Sequence, residues 1–137
     1  MNMKRFGLSC IAVWLVYQVM TFVIHQVLLA ETYGSLKSVW RAEAEMMSML
    51  WIPMLTSVVW TILFCYIFTR GYENRGPMEG LRYGLVMGLF LAPINSYDWY
   101  MVLPITIGLA HAWFVATIVM AVVCGLVVGL VYRPAEA

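Results

Sequence analysis

Two histidines, His25 and His111, are the side chains of this sequence best suited to binding a metal. His25 lies near the end of one long apolar segment, and His111 lies near the beginning of another. Two facing imidazoles can ligate one haem b iron axially or contribute to another metal site. Lone histidines near a membrane interface also serve as packing residues. The sequence therefore predicts no metal site, and it leaves His25 and His111 as the candidates for haem.

A stripe of polar and aromatic side chains runs along the first apolar segment. Its members recur at intervals of four, four, three and four residues: Cys10, Trp14, Gln18, Thr21 and His25. This spacing places them on one face of a helix, which we expect to point toward the other helices. The Gln18 amide then needs a partner on another helix, and the hydroxyl of Ser57 or Thr61 is the expected one.

A second polar group follows Pro93. Asp98 is the only acid between Glu79 and Glu136. It is therefore a candidate to bind a cation or carry a proton. An aspartate at a turn more often caps a helix, and that is the alternative role for Asp98. Together with the first stripe, this group predicts a ligand pocket. Its lining residues would be Trp14, Gln18, Thr21, His25, Asn95, Asp98 and His111.

The composition identifies the elements that must position these residues as membrane helices. Of the 137 residues 64% are apolar and 11% are charged, far from the average of soluble proteins. Eight basic against seven acidic residues exclude the strongly basic balance of a nucleic-acid binder. The three cysteines form no CxxC pair, and the sequence has none of the common hydrolase or phosphate-binding motifs. We therefore expect a membrane protein that is not an enzyme.

Four apolar runs predict an all-α, four-helix integral membrane bundle that forms a single domain. The crossings are predicted at about 7–30, 47–69, 77–97 and 104–132. The third run is short and has to begin at the helix-start signal Gly76-Pro77-Met78-Glu79. Arg82 then lies at the membrane edge, where Glu79 can pair with it.

The distribution of basic residues predicts the orientation. Both termini are expected in the cytoplasm, because that arrangement places six basic residues inside and two outside. The inner six are Lys4, Arg5, Arg70, Arg75, Arg82 and Arg133, and the outer two are Lys37 and Arg41. The stretch from Arg70 to Gly88 resembles small bacterial inner-membrane proteins, which implies that location.

The first outer loop is expected to contain a short amphipathic helix. The apolar residues Leu36, Trp40, Ala44 and Met47 recur there at helical spacing beside a charged row. Such a helix would lie on the outer membrane surface, or it would be a rigid extension of the second crossing with a kink at Pro53.

Small residues predict how the helices associate. The third crossing carries Gly80, Gly84, Gly88 and Ala92 at four-residue spacing, and the fourth carries Gly125 and Gly129. Ridges of this kind let two helix backbones approach closely, so we expect the third and fourth crossings to pack tightly.

Three functions are consistent with these features. The first is a non-catalytic bundle, either a homo-oligomer or an accessory subunit of a membrane complex, whose glycine ridges supply the assembly surface. The second is a small transporter or ligand-binding bundle with the outward-facing polar pocket described above. The third is a haem- or copper-binding protein, since thioethers favour Cu(I) and the sequence clusters Met46, Met47, Met49 and Met54.

Overall fold

The computed structural model describes residues 2–132, and the regular elements in that range are all helical. In chain order they are α1 (Met3–Phe22), a π-helical segment (Val23–Leu28), α2 (Ala30–Ser35), α3 (Glu43–Ser48), α4 (Trp51–Arg70), α5 (Pro77–Pro93), a second π-helical segment (Ile94–Asp98), α6 (Trp99–Val102) and α7 (Ile107–Val131). The predicted all-α fold class is confirmed. Arg133, predicted to lie inside, is outside the described residues.

Three helical stretches within residues 2–132 are long and apolar enough to cross a membrane. They are Met3–Leu28, Trp51–Arg70 and Ile107–Val131. The prediction of a membrane protein with transmembrane helices is confirmed. The third predicted crossing corresponds to α5, which has 17 residues and continues into the second π-helical segment and α6.

Local sequence signals account for where the long helices begin. Asn2 caps α1 by accepting a hydrogen bond from Arg5 N at 3.1 Å, and Thr106 caps α7 by accepting one from Leu109 N at 3.2 Å. α5 begins at Pro77, directly after Gly76 at a φ of 73°, a backbone conformation that favours glycine.

The backbones of α5 and α7 lie in direct contact. A Cβ atom added to Gly84 would come within 2.8 Å of Val122 Cα, and one added to Gly125 would come within 2.7 Å of Gly84 Cα. Gly80 packs against Gly129 in the same way, while Gly88 meets Ile118. This ridge of α5, which ends at the buried Ala92, is therefore covered by α7 of the same chain and is not a free assembly surface.

A core of apolar residues joins α1, α4 and α7 at the end of the molecule that carries Asn2, residues 71–76 and Tyr132, here called the terminal end. The buried residues are Val13, Phe64, Cys65, Phe68, Cys124, Val128 and Tyr132. Aromatic rings connect this core to α5: the Tyr83 hydroxyl donates to Phe64 O at 2.6 Å, and the two rings lie 4.7 Å apart. At the opposite end, here called the first-loop end, residues 29–50 and 99–106 connect the helices.

The single amphipathic helix predicted in the first loop is not observed. Two six-residue helices, α2 and α3, stand there instead, separated by the non-helical residues 36–42. The predicted pattern is interrupted because Trp40 folds back on α2, where its indole Nε1 donates to Tyr33 O at 3.2 Å. A tertiary contact thus overrides the helical periodicity of Leu36 to Met47.

The ion pair predicted between Glu79 and Arg82 is also not formed. Glu79 instead accepts hydrogen bonds from the backbone N–H groups of Glu73 at 2.6 Å and Arg75 at 2.9 Å. The preceding loop turns through Asn74 and Gly76, both at positive φ, and its backbone donors thereby satisfy the carboxylate.

We predict that Gly84→Ala lowers the free energy of unfolding by about 2–3 kcal/mol, because the new methyl group would overlap the α7 backbone. Unfolding in mixed detergent micelles, followed by circular dichroism, measures the change. Gly7→Ala is the matched control, since Gly7 is also helical but has open space at its Cβ position. Equal stability of the two variants would contradict the close contact.

Candidate functional site

Two adjoining cavities open at the first-loop end of the molecule. Their volumes are about 420 Å³ and 190 Å³. Both are lined by the same four residues, His25, Asn95, Thr117 and Met120, so we treat them together as the His25 cavity. The larger part reaches toward the first loop, and the smaller part extends toward Tyr17 and Trp60.

Each of the two π-helical segments supplies one polar residue to the His25 cavity. Val23–Leu28 contributes His25, and Ile94–Asp98 contributes Asn95. Pro93 explains the second segment, since proline has no N–H to continue the α-helical ladder and its ring disturbs the preceding turn. The first π-helical segment contains no residue that explains its π-helical geometry in a comparable way. π-Helical turns are rare and occur frequently at functional sites.

A chain of hydrogen bonds fixes the His25 ring. Trp113 Nε1 donates to the Tyr33 hydroxyl at 2.8 Å, and that hydroxyl lies 2.6 Å from His25 Nδ1. An indole N–H can only donate, so the Tyr33 oxygen accepts from Trp113. That hydroxyl can either direct its own proton to Nδ1 or accept a second hydrogen bond from Nδ1–H, and the tautomer of His25 decides between the two. In the tautomer that carries its proton on Nε2, the Nε2–H group has no protein partner within residues 2–132.

Tyr33 has a proton to donate in this pair. Burial raises the pKa of the Tyr33 phenol, and the hydrogen bond from Trp113 lowers it only in part. Tyr33 therefore remains protonated at neutral pH and can donate to His25. The two rings also stack, with centroids 5.8 Å apart and an angle of 9° between their planes.

Three tryptophans surround the larger part of the cavity: Trp40, Trp99 and Trp113. The rings of Trp40 and Trp113 lie 6.4 Å apart at 54°, and Trp40 also meets the edge of Tyr33 at 5.5 Å. The cavity thus combines large aromatic surfaces with a few hydrogen-bonding groups, the composition typical of small-molecule sites.

Three residues of the predicted stripe on α1 have different surroundings. Trp14 Nε1 donates to Ser57 Oγ at 3.1 Å, and Gln18 Nε2 donates to Met54 Sδ at 3.1 Å. Gln18 therefore bonds to neither of the predicted partners: the Ser57 hydroxyl accepts from Trp14, and the buried Thr61 hydroxyl has no partner within residues 2–132. Thr21 lines the smaller part of the cavity.

Asp98 and His111 lie outside the His25 cavity. Asp98 is an exposed residue at the end of the second π-helical segment. His111 is exposed as well, with Nδ1 2.7 Å from Ile107 O and its ring against the edge of Tyr97 at 5.6 Å. His25 and His111 thus have separate partners, and neither part of the His25 cavity is lined by His111, which leaves the haem hypothesis without a shared site there.

Several residues of the site were not predicted from the sequence. They are the lining residues Trp99, Trp113, Thr117 and Met120, and Tyr33, which contacts His25 and Trp113. Tyr33 and Trp113 are 80 positions apart and meet only because the first loop folds back over α7. The one signal available was the abundance of aromatic residues near the expected membrane boundary.

Across the part of the chain that is described, no group of three or more His, Cys, Asp or Glu side chains could hold a metal ion. Among known protein families, curated proteins and solved structures, none matches this chain.

Proposed function

We propose that this membrane protein binds a small, planar, uncharged molecule in the His25 cavity without catalysing its conversion. The observation that carries the proposal is that two π-helical segments, on different parts of the chain, bring His25 and Asn95 to one cavity. Interruptions of two helices at one cavity are expected where local packing serves binding.

The hydrogen-bonding groups indicate what the ligand has to provide. The proposal assigns to His25 the tautomer that accepts from Tyr33 at Nδ1 and carries its proton on Nε2. In that tautomer neither the Nε2–H group nor the Asn95 amide has a hydrogen-bond partner within residues 2–132. An imidazole fixed by Tyr33 can donate only through Nε2, so the ligand should carry an acceptor such as a carbonyl oxygen. The flat faces of Trp40, Trp99 and Trp113 favour a ring system beside that acceptor.

The lining argues for an uncharged ligand and for binding without catalysis. None of the described lining residues is an acid, a lysine, an arginine or a cysteine. A charged ligand would lack a counterion in this cavity. Besides His25, the described lining offers for acid–base or nucleophilic catalysis only the Tyr17 phenol and the hydroxyls of Thr21 and Thr117, and neither Thr21 nor Thr117 has a hydrogen bond to His25 that would activate it as a nucleophile.

The alternative function, an assembly scaffold, loses its main support. That hypothesis assigned the glycine ridge of the third crossing to contacts with another subunit. Gly80, Gly84 and Gly88 are buried against α7 of the same chain. Association with other subunits would have to use a different surface.

We further propose that α5 is a fourth crossing and that the protein lies in a bacterial inner membrane with both termini in the cytoplasm. α5 spans about 26 Å at 1.5 Å per residue, and the second π-helical segment lengthens the rod. The terminal end carries Lys4, Arg5, Arg70, Arg75 and Arg82, against Lys37 and Arg41 at the first-loop end. The positive-inside rule then assigns the terminal end to the cytoplasm.

The orientation predicts a labelling pattern. In a chain with its three cysteines replaced by alanine, Ser38→Cys should react with a membrane-impermeant maleimide in intact cells, since Ser38 lies in the first loop. Gly71→Cys, at the opposite end and with open space around it, should react only after permeabilisation. Labelling of both positions in intact cells, or of Gly71→Cys alone, would contradict the proposed orientation.

The ligand hypothesis predicts selectivity between two molecules of the same shape. Duroquinone and durene share a tetramethylated six-membered ring, but only the quinone carries carbonyl acceptors. We expect duroquinone to bind about fivefold more tightly than durene to the purified protein, the value of one hydrogen bond of about 1 kcal/mol. Equilibrium dialysis against detergent-solubilised protein measures both affinities.

His25→Phe should abolish this selectivity while retaining a ring of similar size. His111→Phe is the matched control, because His111 is exposed and lies outside the cavity. Selectivity that survives in His25→Phe, or that is lost equally in both variants, would refute the proposed role of the cavity.

A further inference from the structure

A groove of about 680 Å³ lies between α4 and α5 at the terminal end and shares no lining residue with the His25 cavity. Its lining combines apolar residues with charged ones: Ile67, Phe68, Gly71, Glu73, Arg75, Met78, Glu79, Arg82, Tyr83 and Val86. A groove of mixed character at a helix end differs from the uniformly apolar surface that faces lipid tails.

The groove exists because α4 and α5 are held apart by aromatic rings. Tyr83 bridges the gap with its hydroxyl bond to Phe64 O, and its ring lies 5.4 Å from that of Phe68. These two rings form the floor. Ile67 on α4 and Val86 on α5 stand at the walls and are 47% and 65% exposed, so the groove is open to the side.

Arg82 is the one charged residue of the groove lining that has no partner within residues 2–132. Arg75 Nε pairs with Glu73 Oε2 at 2.9 Å, and Glu79 accepts from backbone N–H groups of the loop. The two arginines and two glutamates give the lining a formal charge of zero, but the donors of the Arg82 guanidinium are free for a ligand.

We propose that this groove binds an anionic phospholipid, with its phosphate on Arg82 and one acyl chain along the groove. A guanidinium presents paired donors that match the oxygens of a phosphate. Basic pockets between membrane helices recognise anionic headgroups in this way. The proposal does not depend on the ligand or function assigned to the His25 cavity.

The row of side chains beside Arg82 favours a lipid over a soluble anion. Met78, Arg82 and Val86 recur at four-residue spacing and so share one side of α5. An anion bound at Arg82 therefore has the exposed apolar surface of Val86 one turn away and that of Ile67 across the groove. A phospholipid occupies both surfaces at once, whereas free phosphate would leave the apolar part uncovered.

Native mass spectrometry of the full chain in detergent micelles tests the proposal by titrating dioleoylphosphatidylglycerol against dioleoylphosphatidylcholine. The wild-type protein should retain the anionic lipid more tightly. Arg82→Gln should weaken phosphatidylglycerol binding about fivefold, in line with about 1 kcal/mol for one basic residue at a lipid surface, and should leave phosphatidylcholine binding unchanged.

Arg70→Gln is the matched control, because Arg70 is an exposed arginine at the same end that does not line the groove. It should keep wild-type affinity for phosphatidylglycerol, and Arg82→Lys should recover part of what Arg82→Gln loses. Equal weakening by Arg82→Gln and Arg70→Gln would indicate general charge attraction and overturn the proposal.

A second variant tests the apolar part of the groove. Val86→Trp should reduce phosphatidylglycerol binding by filling the space beside the acyl chain, without changing the charge. Unaltered phosphatidylglycerol binding in this variant would overturn the proposal. Displacement of the lipid by inorganic phosphate at millimolar concentration would overturn it as well. Either result would assign binding to the guanidinium alone.

Discussion

The contact between the backbones of α5 and α7 is the constraint on which the rest of the structure depends. In lipid, apolar burial does not drive helices together, so association relies on close packing and interhelical hydrogen bonds. Gly84 and Gly125 allow such packing because neither carries a Cβ atom in the narrow space between the helices. α5 is thereby held against α7 along its whole small-residue face, and its opposite face is left for lipid or for other elements.

The groove between α4 and α5 follows from this arrangement. α4 packs on α1 and reaches α5 through the rings of Phe64, Phe68 and Tyr83 and the hydrogen bond from Tyr83 to Phe64 O. Large aromatic rings keep two helix backbones farther apart than glycines do. The groove at the terminal end lies in that separation. At the other end of α5 the small-residue ridge stops at Ala92, the helix changes at Pro93, and Asn95 is brought to the His25 cavity.

The sequence predicted features that depend on neighbours along one helix and missed those that depend on chain folding. The four-residue spacing of Gly80, Gly84 and Gly88 was sufficient to predict a close helix contact. The contact between Tyr33 and Trp113 was not predictable, because it requires a loop whose helical periodicity the tertiary structure overrides. The partners of Glu79 were missed for a related reason. The spacing of three residues led us to expect an ion pair with Arg82. The turn through Gly76 instead brings the backbone N–H groups of Glu73 and Arg75 to the Glu79 carboxylate.

The polar groups at membrane depth and at its edge differ in whether they have partners, and the difference bears on function. Trp14, Gln18 and Tyr33 have protein partners, so their cost in lipid is offset within the fold. The buried hydroxyls of Thr61 and Ser96 have no partner within residues 2–132 and line neither the His25 cavity nor the groove. In the proposed tautomer of His25, the Nε2–H group, the Asn95 amide and the Arg82 guanidinium also lack partners there, and each of these residues lines a cavity. The N–H groups of all three donate, so whatever satisfies them has to accept. A neutral acceptor suits the uncharged His25 cavity, whereas the guanidinium in the groove calls for an anion.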